Sequence, residues 1–128
     1  CSVSQKAAEA AYTTDQTCVE DMRKAFERRR DLIVTLAKDI KGLEVNVPEG
    51  AFYLFPKCSS FYGKSDGTHT INNSTDFALY LLEVAHVATV GGDAFGDPDC
   101  FRMSYATSDD NIIEAMKRIK VATEKLKF

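Results

Sequence analysis

The sequence is short of the residues that break a chain or mark it as unusual. Among 128 residues there are three prolines and seven glycines, too few for a low-complexity segment. Long hydrophobic runs are missing: Phe77–Leu82 and Val84–Val90 are interrupted by Glu83 and His86. No stretch approaches the roughly 20 apolar residues of a membrane-spanning helix. Basic residues are not in excess. Sixteen Lys and Arg against nineteen Asp and Glu leave a net charge of −3, so neither a nucleic-acid nor a membrane partner is expected. The motifs HExxH, GxSxG, GxxxxGK[ST] and GxGxxG do not occur. Four cysteines at 1, 18, 58 and 100 form no CxxC pair, so no metal site is expected and the cysteines are too sparse for a disulfide scaffold. They read as free thiols, mostly in the core, in a reducing cytoplasm. The N-terminus lacks the basic start and apolar stretch of a signal peptide.

What remains has ordinary globular proportions, 45% hydrophobic and 27% charged, at a length that suits one domain. The chain starts at Cys1 and runs directly into an Ala-rich helical pattern, which suggests a piece of a longer polypeptide. The spacing Ser2…Gln5 predicts a capped short helix to about Tyr12, and Thr17…Glu20 a second cap. The latter opens a long helix to about Ile40, closed by Gly42. Val19, Met22, Phe26, Ile33, Leu36 and Ile40 supply its apolar stripe. Leu43–Val47 alternates with period two and predicts a strand; Ala51–Phe55 predicts its neighbour across a Pro48–Gly50 turn. Ser59–Asn73 reads as a long polar loop. A helix of about three turns follows from Ser74–Asp76, then strands at Val87–Val90 and Phe101–Tyr105. Ser108 caps a last helix with a stripe of Ile112, Met116, Ile119, Ala122 and Leu126. The order α-α-β-β-α-β-β-α predicts an α+β fold, a small and mostly antiparallel sheet with helices on one face.

Candidate chemistry is sparse. His69 lies in the polar loop, and His86 at a strand start reads as a structural imidazole. Arg28-Arg29-Arg30 reads as a solvated, ion-paired helix face. Arg102 stands out, between Phe101 and Met103 on an apolar strand. Its planar fork suits a carboxylate, which leaves two readings open: an anion site, or an internal ion pair with Asp93, Asp97, Asp99, Asp109 or Asp110.

The segments Ser4-Gln5-Lys6-Ala7-Ala8, Arg28–Leu32, Pro48-Glu49-Gly50-Ala51-Phe52-Tyr53-Leu54-Phe55, Val90–Gly96 and Phe101-Arg102-Met103-Ser104-Tyr105-Ala106-Thr107-Ser108 occur in order along nearly the whole chain. Together they resemble the C-terminal part of pyridoxal-phosphate-dependent aminotransferases of the aspartate aminotransferase type. The resemblance implies an interdomain helix and linker remnant over residues 1–16 and a small domain over 17–128. It implies that Arg102 grips the substrate α-carboxylate, with Gly50 and Phe52, and the loop Gly91–Phe95, near the same cleft. It implies amino-acid and 2-oxo-acid substrates, with aspartate the expected donor, and a homodimeric parent enzyme. The lysine that carries pyridoxal 5'-phosphate is expected outside these residues, since Lys6 lacks its context. The chain alone is therefore expected to bind no cofactor and to be inactive. A stand-alone amino-acid sensor and an interaction domain are the other readings of the same order of elements.

Overall fold

The computed structural model describes residues 1–128. Helix α1 covers Ser2–Thr13 and α2 covers Thr17–Lys38. Strand β1 is Tyr53–Leu54. Helix α3, Ser74–Tyr80, runs on into a π-helical turn at Leu81–Ala85. Strands β2 (Val90–Gly91) and β3 (Phe101–Ser104) follow, then α4, Asp109–Thr123. The sheet is antiparallel throughout, in the order β1-β3-β2. Tyr53 faces Ser104 and Leu54 faces Met103; Val90 faces Arg102 and Gly91 faces Phe101.

The period-two rule divides this sheet cleanly. Leu54, Phe101 and Met103 point inward and are buried, while Tyr53, Arg102 and Ser104 take the other face. All the packing helices lie on the inward side. Phe77 of α3 stacks on Phe61 and meets Phe101 edge-on, each at 5.0 Å between ring centroids. The predicted stripe of α4 is buried in full: Ile112, Met116, Ile119, Ala122 and Leu126. Ser108 caps α4, its hydroxyl accepting from the Asn111 N–H at 3.3 Å. Ser108→Ala is expected to cost about 1 kcal/mol in a urea titration.

Several expectations are corrected. Neither N-terminal capping box forms: the caps are Cys1 and Gln16, neither of which makes a side-chain cap hydrogen bond, and the Thr17 hydroxyl donates backward to Asp15 from inside the helix. The stripe of α2 is buried only in its second half, at Ile33 and Ile40 with Val34 and Ala37; Val19 and Met22 are exposed, and α1 buries nothing. The strand predicted at Leu43–Val47 shrinks to one antiparallel bridge, Glu44 to Lys57. Val47 is exposed and Pro48 follows it, so only one end of the alternation finds a buried face. The strand predicted at Val87–Val90 shifts to Val90–Gly91, because the Val87 N–H closes the π-helical turn onto the Leu81 carbonyl. His86 is an exposed left-handed residue ending that turn (φ 55°), not a strand start. Only two cysteines, Cys58 and Cys100, are in the core; Cys1 and Cys18 are exposed.

The arginine run is ion-paired as expected, but it also ties two helices. Arg28 and Arg29 both reach Asp109 at the start of α4, at 3.0 and 3.3 Å. The Arg28 hydrogen bonds hold the Asp109 carboxyl below the usual carboxylate range.

The polar loop is ordered by its own charges. Asp66 accepts from the backbone N–H groups of His69 (2.7 Å) and Thr68 (2.9 Å), which brings its carboxyl down to about 2. The His69 ring sits 3.2 Å from Asp66 and 3.0 Å from Glu83 on the π-helical turn. The Asp66 hydrogen bond, then the Glu83 one, raise its pKa above the ordinary histidine value. A raised histidine contributes stability that is complete below its unfolded value, about 6.5, and lost as pH rises through the folded one. The Asp66 contribution runs the other way and is lost as pH falls from about 4 toward 2. Urea midpoints are expected to fall as pH rises above about 6.5 and through the raised folded value, and His69→Gln is expected to flatten that decline.

Candidate functional site

β3 is the central strand, so Arg102 projects from the middle of the open sheet face. Two aromatic rings meet its guanidinium. Tyr53 comes from the β1 side, with its centroid 4.4 Å from the guanidinium carbon; Phe95 comes from the turn after β2, at 4.3 Å. Both distances lie well inside the roughly 6 Å range of a cation–π contact. Each ring is backed by another: Phe52 lies 4.5 Å from Tyr53, and Phe55 meets Phe95 edge-on at 6.1 Å.

None of the nearby acids neutralises this arginine. Asp99 pairs with Lys57 at 3.2 Å, and Asp109 is held by Arg28 and Arg29. Asp97 accepts from the Cys100 thiol and the Asp99 N–H, and Asp93 from the Ser74 hydroxyl. Asp110 lies exposed in the first turn of α4. Arg102 makes no ion pair and no side-chain hydrogen bond, so its contacts are the two rings. A guanidinium carries five N–H donors in one plane, a fork that matches the two oxygens of a carboxylate.

Gly50 and Phe52 lie together, but not beside Arg102. They line a cleft of about 380 Å³ with Phe26, Arg30 and Tyr105. Phe52 reaches the arginine only through Tyr53. A Cβ at Gly50 would meet nothing within 4 Å, so no packing inside this chain requires glycine there. The neighbouring Ala51 has φ 60°, a left-handed conformation unusual for alanine. Tyr105 holds it, its hydroxyl donating to the Ala51 carbonyl and its backbone N–H to that of Phe52, both at 3.0 Å. From the loop Gly91–Phe95, Phe95 reaches Arg102, while the Gly92 N–H turns inward to the buried Ser74 hydroxyl at 3.0 Å.

Sequence reasoning missed Tyr53 and Tyr105. Tyr53 carried a signal, since its parity on β1 puts it on the Arg102 face. Phe95 was placed near the cleft only as the end of the loop Gly91–Phe95, through the family resemblance; its contact with Arg102 carried no signal, because a turn residue has no periodicity to read.

No lysine here fits a covalent site for a carbonyl cofactor, which needs a desolvated amine of lowered pKa. Lys6 is exposed and paired to Glu9. The Asp99 hydrogen bond raises the pKa of Lys57, the wrong direction. The Lys64 ammonium sits over the Phe61 and Phe128 rings, and the other lysines are exposed. The two buried thiols are equally unsuited: burial pushes Cys58 up to about 11 and Cys100 up to about 12. No group of three or more His, Cys, Asp or Glu side chains is placed to hold a metal ion, and no helix is long and apolar enough to cross a membrane.

Comparison with known proteins gives one consistent result. The family described as aminotransferase class I and II matches residues 1–119. An aspartate aminotransferase of Rhizobium meliloti (strain 1021) is 46% identical over 126 residues, which are 98% of this chain and 31% of that protein. A bifunctional aspartate aminotransferase and glutamate/aspartate-prephenate aminotransferase of Petunia hybrida is also 46% identical, over 98% of this chain and 27% of its own length. Among solved structures, an aspartate aminotransferase from Rhizobium meliloti superposes with a TM-score of 0.92 at 45% identity, covering 98% of this chain and 32% of that one. The chain thus spans about a third of the relatives it matches.

Proposed function

Because the chain belongs to the class I and II aminotransferase family, we propose that it is the substrate-gripping small domain of a transaminase. The parent enzyme moves an amino group between an L-amino acid and a 2-oxo acid such as 2-oxoglutarate. Aspartate is the donor, a choice supported by the names of the relatives described above. The family's cofactor, pyridoxal phosphate, is held by residues outside these 128, since none of the lysines here fits it. The isolated chain is accordingly inactive, and the parent is a cytoplasmic homodimer.

The observation that carries this reading is the free guanidinium of Arg102 on the open sheet face. Within the enzyme it receives the α-carboxylate through two parallel hydrogen bonds. Fixing that group fixes the direction of the substrate's Cα–H bond, an orientation effect. The rest of the protein, packed over this face, excludes water and strengthens the pair.

The test uses the intact polypeptide that carries these residues, assayed with aspartate and 2-oxoglutarate. Formation of oxaloacetate and glutamate is expected. Calorimetry of the 128-residue chain with the same two compounds is expected to show no micromolar binding, because half of a cleft makes half of the contacts. Tight binding to the chain alone would support a sensor instead.

A further inference from the structure

We propose that Tyr53 and Phe95 are positioning residues for carboxylate capture: they hold the empty guanidinium of Arg102 in its binding orientation before substrate arrives. This rests on the transaminase reading above and assigns a role to two side chains that do not themselves hydrogen-bond a carboxylate in it.

An arginine waiting for an anion has a cost to meet. Its side chain is rich in rotamers, and ordering it on binding subtracts from affinity. An acid could keep the side chain in place, but an acid beside Arg102 would compete with the substrate. The structure supplies rings instead. Tyr53 and Phe95 approach at 4.4 and 4.3 Å, from the β1 and β2 sides of the central strand. A ring attracts the cation through its face and accepts no conventional hydrogen bond from the N–H edge. The donors therefore stay available to a planar anion while the side chain is restrained.

The rings are themselves restrained. Phe52 backs Tyr53 at 4.5 Å and Phe55 backs Phe95 at 6.1 Å, so five side chains form one connected set of contacts that includes Arg102. This gives Phe52 an indirect role: it supports the plate beside Arg102, and does not touch the guanidinium.

Preorganisation of this kind affects capture more than turnover. Once the carboxylate is bound, its own two hydrogen bonds fix the guanidinium. In the intact, cofactor-loaded protein, Phe95→Leu is expected to weaken binding of the unreactive dicarboxylate succinate by about tenfold. KM for aspartate is expected to rise by a similar factor with kcat changed less than about threefold. Phe95→Tyr, which keeps the ring, is expected to stay within about twofold of the parent. Phe95 is 44% exposed, so leucine opens no cavity there; Tyr53→Leu and Tyr53→Phe repeat the comparison on the other plate. If both leucine variants bind succinate like the parent while Arg102→Ala does not, the positioning role is wrong and the carboxylate site stands. An equal loss in Phe95→Tyr and Phe95→Leu also overturns it, since the ring would then not be the cause. If Arg102→Ala itself leaves succinate binding and transamination unchanged, the reading beneath the inference has failed, and the inference with it.

Discussion

Arg102→Ala in the intact polypeptide is expected to lower kcat/KM for amino transfer by roughly 10²–10⁴-fold. Truncating one partner of a close, desolvated charge pair costs about 2–5 kcal/mol, which converts to a loss of that order. The structure makes this a clean experiment. Arg102 has no acidic partner in the chain, so alanine strands no buried carboxylate. The fold loses two ring contacts, worth about 1 kcal/mol together at a half-exposed position, and the protein remains folded at assay temperature. Arg102→Lys is expected to recover little. Lysine keeps the charge but presents a point donor in place of a fork, and cannot hold both oxygens in one plane. A thermal melt separates a folding loss from a binding loss, and a drop in kcat/KM of less than tenfold with a folded variant would remove the carboxylate role from this residue.

The elements most legible in the sequence were those whose signal is local. The stripe of α4 and its Ser108 cap needed only a 3.6-residue period and a hydroxyl at the right offset, and both are present. The alternation through Phe101–Ser104 located the central strand and exposed the odd position of an arginine within it. Edge elements were less legible. Leu43–Val47 has the pattern of a strand, yet strand pairing depends on what lies alongside, and only Glu44 finds a partner. The exposed half of α2 shows the same limit: Val19 and Met22 continue the helical stripe, yet both stay exposed. At the site, Arg102 was visible as a chemical anomaly. Its sandwiching by two rings was not, because Tyr53 and Phe95 are about 40 residues apart in the chain and converge on Arg102 only through the strand order β1-β3-β2; the resemblance gave no more than the loop Gly91–Phe95 near the cleft. Gly50 and Phe52 came from family resemblance, and their separation from Arg102 by the Tyr53 ring is a matter of geometry that no pattern encodes.

Gly92→Ala is expected to cost about 3 kcal/mol, the upper part of the range for overpacking, and to lower the melting temperature by about 10 °C. A Cβ at this position would run into the carbonyl oxygens of Asp97 and Cys100, backbone atoms that cannot rotate aside. One of the two turns must therefore move. The turn at 97–100 is anchored on three sides. The Asp99 carbonyl accepts from the Cys58 N–H at 2.8 Å, the Asp99 carboxylate pairs with Lys57, and the Phe101 N–H bonds to the Pro56 carbonyl. The turn at Gly92–Phe95 is anchored mainly by the Gly92 N–H on Ser74, and it is the one that yields. Phe95 rides on that turn, so the displacement also pulls one plate from Arg102. A stability variant at a buried position just past β2 thus becomes a binding variant: assayed well below its melting point, Gly92→Ala is expected to show the KM increase of Phe95→Leu. Gly50→Ala is the control, since its Cβ meets nothing and its stability change is expected to stay within about 0.5 kcal/mol. Equal melting temperatures for the two alanine variants would mean that the 92–95 turn is free to shift without strain, and that the Phe95 ring is not locked to the core.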